Sequence, residues 1–354
     1  MMSDGKMSAG VPFSPAADFD FVDVPGGCAV ARYTGPGGVV HVPAEHGGLR
    51  VTAIAHGAFY ECAALTGVLL PEGVESVGDF AFQDCTALTA VKLPGTLRSI
   101  GQYAFNHCAL TEAILPEGLQ TIGECAFREC GALTAVTFPR SLRHIGEMAF
   151  TDCASLREAA LSGGALTMGS LVFSDCVSLS SVTLQVQMQS LPEHTFSGCT
   201  SLQSIIFPGG LEQIDTAAFL GCSALKTLVL PAGLKLLGEA AFHGCHGLGS
   251  VSFPAGLESV GKSAFHGCYS IRALALPEGL RSIGEHAFQR CSMLKSVSLP
   301  GTLTAIGNYA FEGCSTLSSV NIPAGLRTLG AGAFEGCPYR LPLGVKLRLG
   351  KLFG

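Results

Sequence analysis

Tryptophan is absent from the 354 residues, and charged side chains make up only 14%, against about 25% in an average soluble chain. The net charge is −6, with Lys and Arg scattered. The basic footprint that nucleic acid demands is therefore missing. Although 48% of the residues are hydrophobic, no uninterrupted apolar run reaches the roughly 18 residues of a membrane-spanning helix. Short motifs that carry chemistry are missing too: no phosphate-cradling glycine loop, no G-x-S-x-G, no H-E-x-x-H and no C-x-x-C. Neither catalysis nor a cofactor is expected.

What the chain has instead is repetition. An Ala-Phe pair or a close variant ends in Phe59, Phe82 and Phe105, then in Phe127, and so on to Phe311 and Phe334. The spacing is 23 residues at every step but Phe105 to Phe127, which is 22 because Cys108 is followed by one residue fewer before its Leu. A Cys stands three residues after each Phe, from Cys62 to Cys337. A fixed period of this length marks a solenoid.

Within one copy, Leu88, Val91 and Leu93 alternate as a short half-buried strand does. Pro94 stops the ladder because it has no N–H to donate. Leu97 and Ile100 return inward, and Gly101 permits a tight or left-handed backbone. Such a coil has too few inward side chains to fold alone, so coils must stack. The predicted fold is a β-rich solenoid, an arc or rod of about thirteen 23-residue coils with a parallel sheet on one face and end caps. At about 4.8 Å per strand it would extend roughly 60 Å.

The repeat of Leu, apolar, Leu-Pro, Leu, Ile-Gly, Ala-Phe and Cys resembles the BspA-like leucine-rich repeats of bacterial surface and secreted proteins. The stretches from Tyr33 to Pro43 and from Gly47 to Ile54 also look like that family's entry segment. The resemblance implies adhesion and protein binding, with partners that vary between members, and a cell-surface or secreted location. The N-terminus lacks a basic start followed by an apolar core, and the many thiols suit a reducing compartment. Those two features favour the cytoplasm.

Residues 1–15 are polar, small and rich in Pro and Gly, and are expected to be disordered. Residues 16–50 form a β cap, with a hairpin from Asp18–Val24 and Cys28–Tyr33. The solenoid follows over 51–340. Residues 341–354 close it with a capping strand over Gly344–Leu352, whose outward Lys346 and Arg348 would protect the edge. The chain is expected to be a monomer.

Thirteen cysteines share one repeat position and form a ladder of packed thiols; Cys28 and Cys125 fall outside it and are candidates for reactivity. His243 and His266 share another slot on consecutive coils, with His246 and Gln289 nearby. Two imidazoles about one strand spacing apart could share an ion, but an exposed slot tolerant of any polar residue explains them equally, and no metal site is assigned. Departures from the consensus cluster mid-chain. Ser162-Gly163-Gly164 and Gln185-Val186-Gln187 lack the proline, while Pro192 and Asp215 replace the Ile-Gly glycine. Glu193-His194 is the nearest approach to an acid/base pair, and adjacent residues on an extended chain point apart.

Function then rests on the outward strand positions. Leu69, Lys92, Glu112, Ile114, Glu158, Thr183, Ile206 and Val229 are the candidate partner-binding residues. They lie on a face of hydroxyls and small apolar groups, with Leu69, Ile114, Ile206 and Val229 as anchors. A contiguous apolar strip without aromatics points to a protein partner rather than a sugar. The alternative is a passive structural or surface-coat repeat with no dedicated partner.

Overall fold

The computed structural model describes residues 14–345, as a parallel β-solenoid of about thirteen turns with almost no helix. The chain divides into two compact units, 1–167 and 168–354.

Each coil contributes two strands. One is the predicted Leu-x-x-Val segment, three residues long in most coils, as in Ala90–Lys92 and Thr227–Val229. The other is a two-residue strand on the Leu-x-x-Ile segment, and this second strand builds the longer ladder. In residues 168–354 it runs through seven parallel strands, from Ser190–Leu191 through Leu236–Leu237 to Thr328–Leu329. In residues 1–167 it runs from Gly27–Tyr33 through Leu49–Ile54, Ser76–Val77 and Ser99–Ile100 to His144–Ile145. The Leu-x-x-Val strands pair only in short groups. Leu65–Leu69 pairs Ala90–Lys92, and Glu112–Ile114 pairs Ala135–Thr137, with no ladder between the two groups.

A spine of stacked Phe rings fills the interior of each unit. Ring centroids lie 4.7 Å apart between Phe59 and Phe82 and 5.1 Å apart between Phe127 and Phe150. In the second unit the steps are 4.9 Å from Phe219 to Phe242 and 5.3 Å from Phe242 to Phe265. Every Phe from Phe59 to Phe311 in this row is fully buried. The Ile-Gly glycine lets the coils approach this closely. A Cβ on Gly101 would stand 2.6 Å from the Asp79 backbone nitrogen, and one on Gly261 would stand 2.6 Å from the Gly238 carbonyl oxygen. Close approach, not a left-handed backbone, is what the position requires. The left-handed residues fall just before Ala-Phe, such as Phe80 at φ 58 and Tyr103 at φ 55, and just before the ladder Cys, such as Asp84 at φ 58 and His107 at φ 56.

The cysteine ladder has a hydrogen-bonding role. Cys85 Sγ donates to the Phe59 carbonyl of the preceding coil at 3.0 Å, and Cys245 Sγ to that of Phe219 at 3.2 Å. All the cysteines are free thiols. Burial pushes Cys85, Cys130 and Cys245 up to about 12, so each stays protonated and keeps its donor. Each of these carbonyls, which already accepts from the backbone N–H of the Cys three residues on, as Phe59 does from Cys62 at 3.2 Å, thereby gains a second donor, and a small apolar side chain packs beside the ring.

The proline-free coils show why proline recurs elsewhere. Without it the strand runs on, over Glu158–Ala165 and Ser181–Gln187, eight and seven residues.

At the N-terminal end Phe19–Val24 and Gly27–Tyr33 form an antiparallel hairpin, and the latter strand lies parallel to Leu49–Ile54. Tyr33 stacks on Phe59 at 5.1 Å and ends the spine. Ser14 exchanges two hydrogen bonds with His41, donating from its N to the His41 carbonyl and accepting at Oγ from the His41 N. Order therefore begins within the segment read as disordered, and the rest of that expectation, residues 1–13, lies outside the described residues. At the other end Tyr339 closes edge-on against Phe334 at 5.2 Å. Residues 343–345 are helical, not extended as predicted; Lys346, Arg348 and the remainder of the predicted strand lie outside the described residues. No helix among the described residues is long and apolar enough to cross a membrane.

Candidate partner-binding face

Side chains alternate across a strand, so in each three-residue strand the central one packs inward and the two flanking ones face out. Thr227–Val229 shows the pattern: Leu228 is buried while Thr227 and Val229 are exposed. The sequence-predicted residues obey it to different degrees. Ile114, Ile206 and Val229 are 58%, 56% and 73% exposed, which sets them apart from the apolar residues of the core. Lys92, Glu112 and Glu158 are exposed, and Leu69 and Thr183 are half-buried.

Pairing register brings Leu69 beside Lys92 and Thr183 beside Ile206. Ile114 neighbours Thr137, and Val229 neighbours Ser252. Lys92 and Ile114 stand on consecutive coils with no ladder between them, and ladders are missing between some coils of 23-residue spacing as well, as between Ser250–Ser252 and Ala273–Ala275. The strand face is thus segmented rather than the contiguous strip expected from sequence.

One interruption holds a hollow on this face. No ladder joins Ser204–Ile206 to Thr227–Val229. There a groove of about 600 Å³ opens over three coils, lined by Ile206, Phe207, Val229, Leu230, Pro231, Phe253 and Pro254 among others. Phe207 and Phe253 occupy the position before proline that Leu230 fills between them. Each meets its spine ring edge-on, Phe219 and Phe265 respectively, at 5.8 Å. The two larger side chains form walls and the shorter Leu230 the floor. Sequence reasoning named Ile206 and Val229 but missed these walls. The signal was present as Phe in place of Leu before Pro208 and Pro254.

Sequence reasoning also passed over the margin just before the strands. Lys226, Arg272 and Lys295 stand in one repeat position, all exposed, and none makes an ion pair among the described residues. Arg272 and Lys295 are on adjacent coils, the Lys295 N donating to the Arg272 carbonyl at 2.8 Å. The outward strand residues from Ser204 to Asn321 carry no charge. Acidic side chains of the same coils, such as Glu212 and Glu278, lie at or beyond the proline turns, and Glu212 is taken by Lys235 at 2.8 Å.

The remaining candidates resolve into structure. The His243 and His266 rings stack at 4.5 Å and 11°, so their in-plane lone pairs run parallel instead of converging on an ion. Among the described residues no group of three or more His, Cys, Asp or Glu is arranged to hold a metal. Burial and the nearby His246 pull His243 below its ordinary value. Burial, then His243, Arg290 and His286, do the same to His266 against a hydrogen bond to Gln289. Cys28 and Cys125 are buried, and burial raises both thiols, the opposite of what a reactive cysteine needs. In place of the usual Ala, Thr195 buries its hydroxyl, which donates to the Pro192 carbonyl at 2.6 Å.

Coils that stack a parallel ladder on Leu and Ile around a Phe spine define a leucine-rich-repeat protein. The BspA type leucine rich repeat region matches in six copies over residues 52–176, 120–248 and 213–340, and the chain belongs to that family. Among solved structures, a leucine-rich repeat protein from Bacteroides ovatus is 25% identical with a TM-score of 0.64, each chain covered over 90%. The pneumococcal vaccine antigen PcpA is 19% identical with a TM-score of 0.59 over 94% of each chain. A leucine-rich repeat protein from Eubacterium ventriosum is 20% identical with a TM-score of 0.53 over 89% of this chain and 90% of that one. These last two share the fold. No curated protein matches. Leucine-rich repeats of this type are non-enzymatic scaffolds that usually bind proteins.

Proposed function

We propose that the chain binds a protein partner, a host or cell-surface protein in an adhesive role, through the outward residues of its strand face. Leu69, Lys92, Glu112, Ile114, Glu158, Thr183, Ile206 and Val229 are the contact set, with Ile206 and Val229 as anchors. The observation that carries the reading is Val229, 73% exposed beside an apolar groove. A β-branched side chain held that far into water gains nothing for the fold, and anchors that fill hollows dominate protein interfaces.

The test is capture from the native host with wild-type protein and with a variant carrying Ile114→Asp, Ile206→Asp and Val229→Asp. Loss of the captured protein, with the thermal unfolding midpoint unchanged, supports the reading. Recovery of the same proteins by both forms overturns it.

A further inference from the structure

We infer that the strand face within residues 168–354 takes an acidic peptide segment carrying apolar anchors, a conclusion that rests on the binding reading above and specifies its partner. Two independent features of adjoining coils meet there. One is the groove over Leu230, walled by Phe207 and Phe253 and flanked by Ile206 and Val229. The other is the row of Lys226, Arg272 and Lys295 at the opposite end of the strands, Lys226 on a groove coil and Arg272 and Lys295 on the two coils that follow the groove, three exposed cations without an ion pair among the described residues. The surface between them is an uncharged run of Ser, Thr and Ala.

The alignment concentrates positive charge locally on a chain of net charge −6. In this unit Lys235 and Lys262 are paired with Glu212 and Glu239, and Arg281, Arg290 and Arg327 have no ion pair among the described residues either; what marks Lys226, Arg272 and Lys295 is that they share one repeat position beside the strand face. Three cations left without acids beside an apolar hollow form the positive half of a complementary interface, and complementarity of this kind sets partner choice and encounter rate. The row is too small for nucleic acid, whose binding scales with the number of phosphates neutralised. The serine and alanine floor between row and groove imposes no side-chain bulk, so an extended segment can reach both. Carboxylates of the partner reach Lys226, Arg272 and Lys295 while its apolar side chains enter the hollow.

The probe is a library of displayed random 12-residue peptides selected on the full chain, with one selected peptide then synthesised and labelled. The expected pool is enriched in Asp and Glu together with Leu, Ile or Phe. The labelled peptide should lose about tenfold in affinity on Lys226→Glu, Arg272→Glu, Lys295→Glu protein, and should weaken as salt screens the pairs. Val229→Asp should also weaken it, while Arg327→Glu, at an exposed cation before the Leu-x-x-Ile strand Thr328–Leu329, should leave it unchanged; circular dichroism confirms that each variant is folded. A pool without acidic enrichment, no enriched pool, or equal binding to the charge-reversed chain overturns the inference. So does tighter binding of a 12-nucleotide oligothymidylate to the same cations, or a dimer in sedimentation that Val229→Asp abolishes, which would make a second copy the occupant. If host capture depends on Ile206 and Val229 but not on the three cations, the binding reading stands and this inference falls. If acidic peptides bind here but host capture ignores the face, the inference stands and that reading falls.

Discussion

Within one coil, the side that carries the Leu-x-x-Ile strand and the side that carries the Leu-x-x-Val strand obey different rules. The first forms a seven-strand ladder in residues 168–354, and its glycines allow no added carbon. The second pairs in twos and threes, and its outward positions accept Ile, Val, Ser, Ala, Lys or Glu. Both enclose the same Phe spine. The difference teaches where a repeat protein keeps its freedom: an outward side chain meets its neighbours beside open solvent and can give way, whereas an inward change disturbs two adjacent coils.

The comparison should show itself first at the spine. Phe242→Ala removes a ring stacked on both sides, at 4.9 and 5.3 Å. It should lower stability by about 3–5 kcal/mol, measured by urea unfolding. Gly261→Ala comes next, since its Cβ would stand 2.6 Å from a backbone oxygen that cannot swing aside. A loss of about 1–3 kcal/mol in the same assay is expected.

The thiol ladder sharpens the contrast by pH. Because burial raises Cys85, Cys130 and Cys245 to about 12 from an ordinary 9.0, their stability is fully present below about pH 9. Above it the unfolded chain sheds protons that the folded chain retains. Each such thiol then costs about 1.4 kcal/mol per pH unit. Urea midpoints should fall steeply between pH 9 and 11, and less steeply in Cys245→Ala. The His243 and His266 pair acts in the opposite direction and more weakly. Both are held below the ordinary 6.5, so stability is intact above that pH and declines as protons are forced on below it. A His243→Gln, His266→Gln variant should flatten the midpoint between pH 7 and 5. At the far end, Val229→Ser should change stability by no more than about 0.5 kcal/mol.

Periodicity made the inside legible. Any position that recurs every 23 residues faces another coil, so Phe, Cys and Ile-Gly could be assigned to the core from their spacing alone. The function of Gly101 was misjudged because close approach and a left-handed backbone both select glycine, and only a backbone angle separates them. The interrupted strand face was illegible for a different reason. Lys92 and Ile114 hold the same repeat position, and sequence register cannot report whether two neighbouring strands come near enough to share hydrogen bonds. The groove escaped because it arises from a contrast between coils, Phe207 and Phe253 around Leu230, whereas a consensus averages such contrasts away. Lys226, Arg272 and Lys295 escaped similarly: scattered along the chain, they align only once the coils stack.

The most direct test reads capture and stability on one protein, Ile206→Asp, Val229→Asp, against wild type. The account predicts that the urea midpoint stays where it was and the captured partner is lost. A partner retained at full yield, or one lost only in step with a falling midpoint, would contradict it.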